Sequence, residues 1–108
     1  MRRGEVWTLS GGPDYAGKPR PAVVLQDERF DATASIIVCP LTSHTLDAPL
    51  FRLPVEPSSA NGLQRPSMLM IDKLTAVPRS KMGARLGQLE GEDMVRLGRA
   101  VLVFLGLA

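Results

Sequence analysis

Apolar positions in this chain fall into short runs separated by turn residues, and their period changes once, near residue 90. Residues 4–9 place Val6, Trp7 and Leu9 among polar neighbours and predict a first strand. Residues 10–19 hold Gly11, Gly12, Pro13, Gly17 and Pro19, a density of breakers that predicts a loop. Lys18 and Arg20 each precede a proline, which biases both to extended backbone. That stiffens the entry to a second strand, residues 22–25, Ala-Val-Val-Leu. A polar turn over 27–33 leads to a third strand at 35–38, and the apolar run there ends in Leu41-Thr42-Ser43. Residues 51–55 alternate apart from Pro54, which favours an edge strand. After the turn signal Asn61-Gly62, a strand is expected at 67–71, continuing through 74–77.

Beyond this point the spacing becomes helical. Met94, Leu97, Val101 and Leu105 recur at three to four residues, and Val95, Leu102 and Phe104 widen the stripe. Glu90, Glu92 and Asp93 suit the positive end of a helix dipole, and Gly106 suits its stop. Five or more short strands and one terminal helix predict a mostly β fold: a small barrel-like sheet capped by a C-terminal α-helix.

At 108 residues and 44% hydrophobic content, the chain has enough apolar material for one compact core, so a single domain over 1–108 is expected. The lone cysteine, Cys39, can form no intramolecular disulfide and sits in an apolar run, where it reads as a small buried hydrophobe. One histidine and one cysteine cannot close a zinc shell, and no Gly-rich nucleotide loop of the Walker or dinucleotide type is present. No metal and no cofactor are therefore expected. Arg2 and Arg3 are followed by Glu5 rather than an apolar run, and the apolar tail at 100–108 is far shorter than the roughly 20 residues a membrane helix needs. A cytoplasmic protein that does not enter the membrane is the expectation. The net charge of +2 permits nucleic-acid binding, but the 13 basic residues are scattered, which argues against a broad patch for duplex DNA.

Two of the apolar runs carry a polar group at one end, Arg20 in one and Thr42 in the other. A strand rim holds such groups in fixed places, and an arginine beside a hydroxyl is suited to gripping a phosphate. Each also has an ordinary explanation. Arg20 could pair with a nearby acid such as Asp72, and Thr42 could satisfy a turn. His44 reads as a solvent-facing loop residue that, in an extended chain, projects on the side of Thr42.

Taken in order, the segments resemble the MazF/PemK family of toxin ribonucleases almost end to end. The similarity is carried by Arg3-Gly4-Glu5-Val6-Trp7, Lys18-Pro19-Arg20-Pro21-Ala22-Val23-Val24 and Pro40-Leu41-Thr42-Ser43. Gly62-Leu63 with Ser67, Ile71-Asp72-Lys73-Leu74 and Gly87-Gln88-Leu89 complete it. The resemblance implies an SH3-like small barrel with a terminal helix, acting as a homodimer. It implies metal-independent, sequence-specific cleavage of single-stranded RNA, with messenger RNA as the expected target, to halt translation and growth. Arg20 and Thr42 match the family's catalytic arginine and threonine. The implied chemistry is attack by the ribose 2′-hydroxyl, leaving a cyclic phosphate and a free 5′-hydroxyl. The first loop is one residue longer here through Pro19, and Asp14 only approximates a glutamate found in some relatives. A cognate antitoxin is also implied, with an acidic, initially disordered tail that folds into the RNA groove.

Holding an unpaired strand takes cations, hydroxyls and stacking surfaces. Lys18 and Tyr15 in the long loop, with Ser43, Arg65 and Ser67, are the expected RNA contacts. The general base is left unassigned: arginine is protonated far above neutral pH, and His44 or an Asp14 carboxylate would be chemically easier, but neither matches a family position well. Two other functions share this fold: a CcdB-type DNA gyrase poison and a nucleic-acid-binding barrel without catalysis. Members of the gyrase-poison type resemble one another in a Trp-Gly-Ile end, whereas this chain ends Leu105-Gly106-Leu107-Ala108.

Overall fold

The computed structural model describes residues 1–10 and 19–108. Among these, seven strands and one α-helix follow in chain order. They are β1 (Glu5–Leu9), β2 (Arg20–Val24), β3 (Ser35–Thr42), β4 (Arg52–Val55), β5 (Ser67–Met70), β6 (Thr75–Pro78), β7 (Met82–Gln88) and α1 (Gly91–Phe104). The expected mostly β architecture with a C-terminal helix is present.

The strands form one antiparallel sheet in the order β4-β5-β3-β2-β1-β7, with β6 beside the first half of β3. β3 is the hub. It pairs with β2 on one edge; on the other, residues 35–38 pair with β6, while Leu41 and Thr42 pair with β5. Cys39 and Pro40 fall between those two partners, so a residue without an N–H is tolerated there. For the same reason the strand does not stop at Val38, as its hydrophobic pattern suggested, but runs on to Thr42. Pro54 lies in β4, an edge strand, as expected.

Two other expectations need correction. The strand beginning at Ser67 does not continue through 74–77: a 3-10 turn at Ile71–Lys73 ends it, and the next strand pairs with β3 instead. β7 was not foreseen, because only Gly87 of its seven residues is buried and no apolar alternation marks it. It is held by pairing with β1, through a register that shifts twice.

The main core gathers Val6, Val23, Cys39, Leu41 and Leu69 from the strands, with Ile71 of the 3-10 turn, under Leu97 of the helix. Ala22, Val24, Ile36 and Val38 bury against the opposite face, where Trp7, Leu9, Val77 and Met82 are partly covered. β2 therefore has apolar contacts on both faces, which explains its unbroken Ala-Val-Val run. The inward line of α1 is Met94, Leu97, Ala100 and Val101. Leu105, Val95 and Leu102, expected in the buried stripe, are 56%, 54% and 45% exposed. Phe104 is half exposed but stacks obliquely on Phe51 with ring centroids 6.1 Å apart. Gly106 ends the helix at φ 75°, where its N–H bonds the Val103 carbonyl and the Leu107 N–H bonds that of Leu102.

Candidate active site

The ladder between β2 and β3 sets Ala22 opposite Pro40. Two residues further along both strands, that register brings Arg20 level with Thr42. The first residue of one core strand and the last of its neighbour thus share a rim. Arg20 is exposed and Thr42 half-buried.

Two cavities meet at this rim, and both residues line both of them. The larger, about 570 Å³, continues past His44 to Lys73 and Lys81, over an apolar floor that includes Pro40 and Val77. The smaller, about 510 Å³, is bounded by Ser43, Gln64, Arg65 and Ser67. Each has volume enough for a nucleobase, and the Arg20–Thr42 pair borders both, which makes it the ridge between them.

The backbone turns sharply after Thr42. The Thr42 Oγ1 accepts the His44 N–H at 3.1 Å. This is the turn-satisfying role expected of a strand-end threonine, and it fixes the oxygen while its hydroxyl proton remains able to donate. Ser43 turns to the smaller cavity and His44 to the larger.

Asp72 does not serve as the acid for Arg20 that the sequence offered. Its carboxylate takes a two-pronged grip from Arg52, with Oδ1 accepting Nε at 2.7 Å and Oδ2 accepting Nη2 at 3.0 Å. The Arg52 hydrogen bonds hold the Asp72 carboxyl below the usual aspartate range, despite some desolvation in the other direction. Arg52 is buried and lines the larger cavity.

Of the expected RNA contacts, Ser43 and Arg65 are exposed at the smaller cavity. Ser67 lines it too, but is buried and donates its hydroxyl to the Arg65 carbonyl at 2.9 Å. It shapes the turn that presents Arg65. Lys18, Tyr15 and Asp14 lie outside the described residues. Sequence reasoning passed over Gln64, Lys73 and Lys81 as site residues. Lys73 stood inside a recognised segment, whereas Lys81 arrives only because a 3-10 turn at Arg79–Lys81 brings β6 round to β7.

The smaller cavity depends on one loop for its outer wall. Asn61, fully buried, accepts the N–H groups of Ser58 (3.0 Å) and Leu63 (2.9 Å) and donates to the Glu56 carbonyl (2.9 Å). Gly62 follows at φ 69°, packed so closely that an added Cβ would overlap the Leu86 carbonyl. Cys39 is sealed in the core, where burial pushes its thiol up to about 12, so it has no part in the chemistry.

Comparison with known proteins gives this geometry a family. Residues 2–105 match the family described as PemK-like, MazF-like toxin of type II toxin-antitoxin system. The chain is 55% identical over 108 residues to a probable endoribonuclease MazF of Mycolicibacterium smegmatis, covering 100% of this chain and 99% of that one. In fold it is similar to an endoribonuclease solved in complex with its cognate antitoxin from a mycobacterial species. That match has a TM-score of 0.81 and 21% identity, covering 100% of this chain and 97% of the other. It is also similar to a MazE-MazF crystal structure from Deinococcus radiodurans, with a TM-score of 0.82 and 23% identity over 100% and 98% of the two chains. The chain belongs to the PemK-like, MazF-like toxin family of type II toxin-antitoxin systems.

Proposed function

We propose that this toxin is a metal-independent endoribonuclease that cuts single-stranded RNA, messenger RNA above all, with Arg20 and Thr42 holding the scissile phosphate. The observation that carries this reading is their shared place on the ridge between two base-sized cavities. A phosphate on the ridge leaves one hollow for the nucleotide on either side.

A guanidinium can bond two phosphate oxygens at once and stabilise the charge that grows on them as the 2′-oxygen attacks. The Thr42 hydroxyl adds a donor whose oxygen is already anchored by the His44 N–H. Removing one such donor typically costs about 2.7–4 kcal/mol, or roughly 10²–10³ in rate. Ser43, Gln64 and Arg65 offer donors and acceptors suited to base edges, whereas the larger cavity offers apolar surface with Lys73 and Lys81 for backbone phosphates. Lys18 and Tyr15 are assigned to RNA contact on their residue types alone.

The working form is a homodimer in the cytoplasm, restrained by a cognate antitoxin whose acidic, disordered tail folds across the cationic groove. The exposed apolar residues Leu102, Val103, Leu105 and Leu107 support an assembly larger than one chain. Among the described residues no helix is long and apolar enough to cross a membrane.

The test is direct. Purified protein should cleave a pool of single-stranded RNAs in the presence of a chelator, leaving cyclic phosphate ends. Arg20→Ala and Thr42→Ala should each lose most of that activity while melting like the parent. An intact pool would sink the ribonuclease reading; an active Arg20→Ala protein would sink the assigned site.

A further inference from the structure

The ridge accounts for the phosphate but not for the proton on the attacking 2′-hydroxyl. Arginine and lysine are cations near neutral pH and offer no lone pair, which removes Arg20, Arg52, Lys73 and Lys81. The serine and threonine hydroxyls of both cavities and the Gln64 amide are poor proton acceptors in the same range, and Arg65 is a cation like the others. Among the described residues that line either cavity there is no carboxylate. Asp72, the nearest in sequence to that lining, is bound on both oxygens by Arg52. What remains is His44, on the wall of the larger cavity. Unlike a guanidinium, ammonium or hydroxyl, an imidazole can present a ring-nitrogen lone pair that takes up a proton.

We propose that His44 is the general base of the cleavage. This rests on the ribonuclease reading above. As the 2′-oxygen forms its bond to phosphorus, its proton passes to the unprotonated ring nitrogen of His44. The bond from phosphorus to the 5′-oxygen breaks, its electron pair stays on that oxygen, and a water molecule supplies the proton that completes the 5′-hydroxyl. The imidazolium returns its proton to solvent before the next turnover. The turn that anchors Thr42 also locates His44, because the His44 N–H is the group that the Thr42 Oγ1 accepts at 3.1 Å. The hydrogen bond that anchors the Thr42 oxygen therefore also fixes the backbone from which the imidazole projects. The 2′-hydroxyl belongs to the nucleotide upstream of the cut, so that nucleotide occupies the larger cavity. The charged groups facing His44 there are Arg20 from β2, Arg52 from β4, and Lys73 and Lys81 from the turns on either side of β6.

The experiment compares parent, His44→Gln and Asp14→Asn on the oligonucleotide that the parent cuts best, under single turnover across pH 5–9. A 2′-deoxy version of the same strand reports binding. His44→Gln should fall about 10²–10⁴-fold in rate, bind the deoxy strand as the parent does, and lose the rise in rate with pH on the acid side. His44→Ala should recover activity when free imidazole is added. Near-parental rate and the same acid limb in His44→Gln would overturn the proposal. So would loss of binding with that limb retained, or transfer of the limb's loss to Asp14→Asn. No cleavage by the parent would instead fell the ribonuclease reading beneath it.

Discussion

Asn61 is the residue whose removal should do most damage for its size. Its side chain satisfies two backbone N–H groups and one carbonyl in the loop that walls the smaller cavity, and it is wholly enclosed. Asn61→Ala leaves all three without a partner. A stranded buried polar group costs about 1–3 kcal/mol. The Leu63 N–H, fully enclosed, belongs at the upper end of that range, while the Ser58 N–H and Glu56 carbonyl are partly open to water and belong at the lower. The sum is about 3–5 kcal/mol, against the roughly 5–15 kcal/mol that holds a typical domain together. At about 4 °C per kcal/mol for a chain of this size, Tm should fall by about 12–20 °C.

Urea unfolding and thermal melting of the parent and Asn61→Ala measure this directly. Ser58→Ala is the control. It removes a hydroxyl that accepts the Asn61 N–H and donates to Glu90 in a more exposed setting, so about 1 kcal/mol is expected. The Ser58 hydroxyl and the Asn61 side chain brace the same turn, so the double variant should depart from the summed losses. A loss below about 1 kcal/mol for Asn61→Ala would refute the reasoning, since it would mean water replaces all three bonds at little cost.

Three further outcomes follow from the same packing. Gly62→Ala should destabilise clearly more than Gly106→Ala in denaturant titrations: both have positive φ, costing about 1–2 kcal/mol for a non-glycine residue, but only the Cβ at 62 overlaps a neighbouring carbonyl. Asp72 has its pKa lowered in the fold chiefly by the Arg52 hydrogen bonds, so the stability it adds is full above the ordinary value of about 3.9 and is lost as pH falls through the lower folded value. Asp72→Asn should accordingly lose stability at pH 7 and show a shallower loss on acidification, as read by melts from pH 7 to 2.5. Cys39 should resist a thiol reagent in the native protein and react only as fast as the chain unfolds; rapid labelling without unfolding would contradict its burial.

Much of this architecture is legible in the order of residues because each readable element buries its own side chains. β2 shows as an apolar run since both its faces are covered, and α1 shows as a stripe since Leu97 and Val101 face one sheet. The stripe misleads at its far end, where the periodicity runs on through Leu105 although there is no sheet left to cover it. β7 is silent for the opposite reason. Its place is secured by backbone pairing with β1 and by a glycine, Gly87, at which a Cβ would overlap the Ala60 carbonyl. Close approach of two backbones selects for a missing side chain, and an absence has no period.

The site divides along the same line. Arg20 and Thr42 could be picked out because each stands at the end of a run that must be a core strand, but a run cannot say which other run lies beside it. Adjacency came from the β2–β3 register, which alone sets the two separate rim groups side by side. His44 lay still further from view. Extended backbone beyond Thr42 would have set it on the Thr42 side by alternation, yet the strand ends there, and the Thr42 hydroxyl itself holds the turn by accepting the His44 N–H. The ordinary explanation of Thr42, a hydroxyl satisfying a turn, and the functional one, a donor to phosphate, are thus the same piece of geometry. Satisfying the turn fixes the oxygen proposed to face the phosphate and brings His44 to the wall of the larger cavity. Thr42→Ala should for that reason lose more than a single phosphate donor, and Thr42→Ser, which keeps the hydroxyl and the turn, should retain most of the rate.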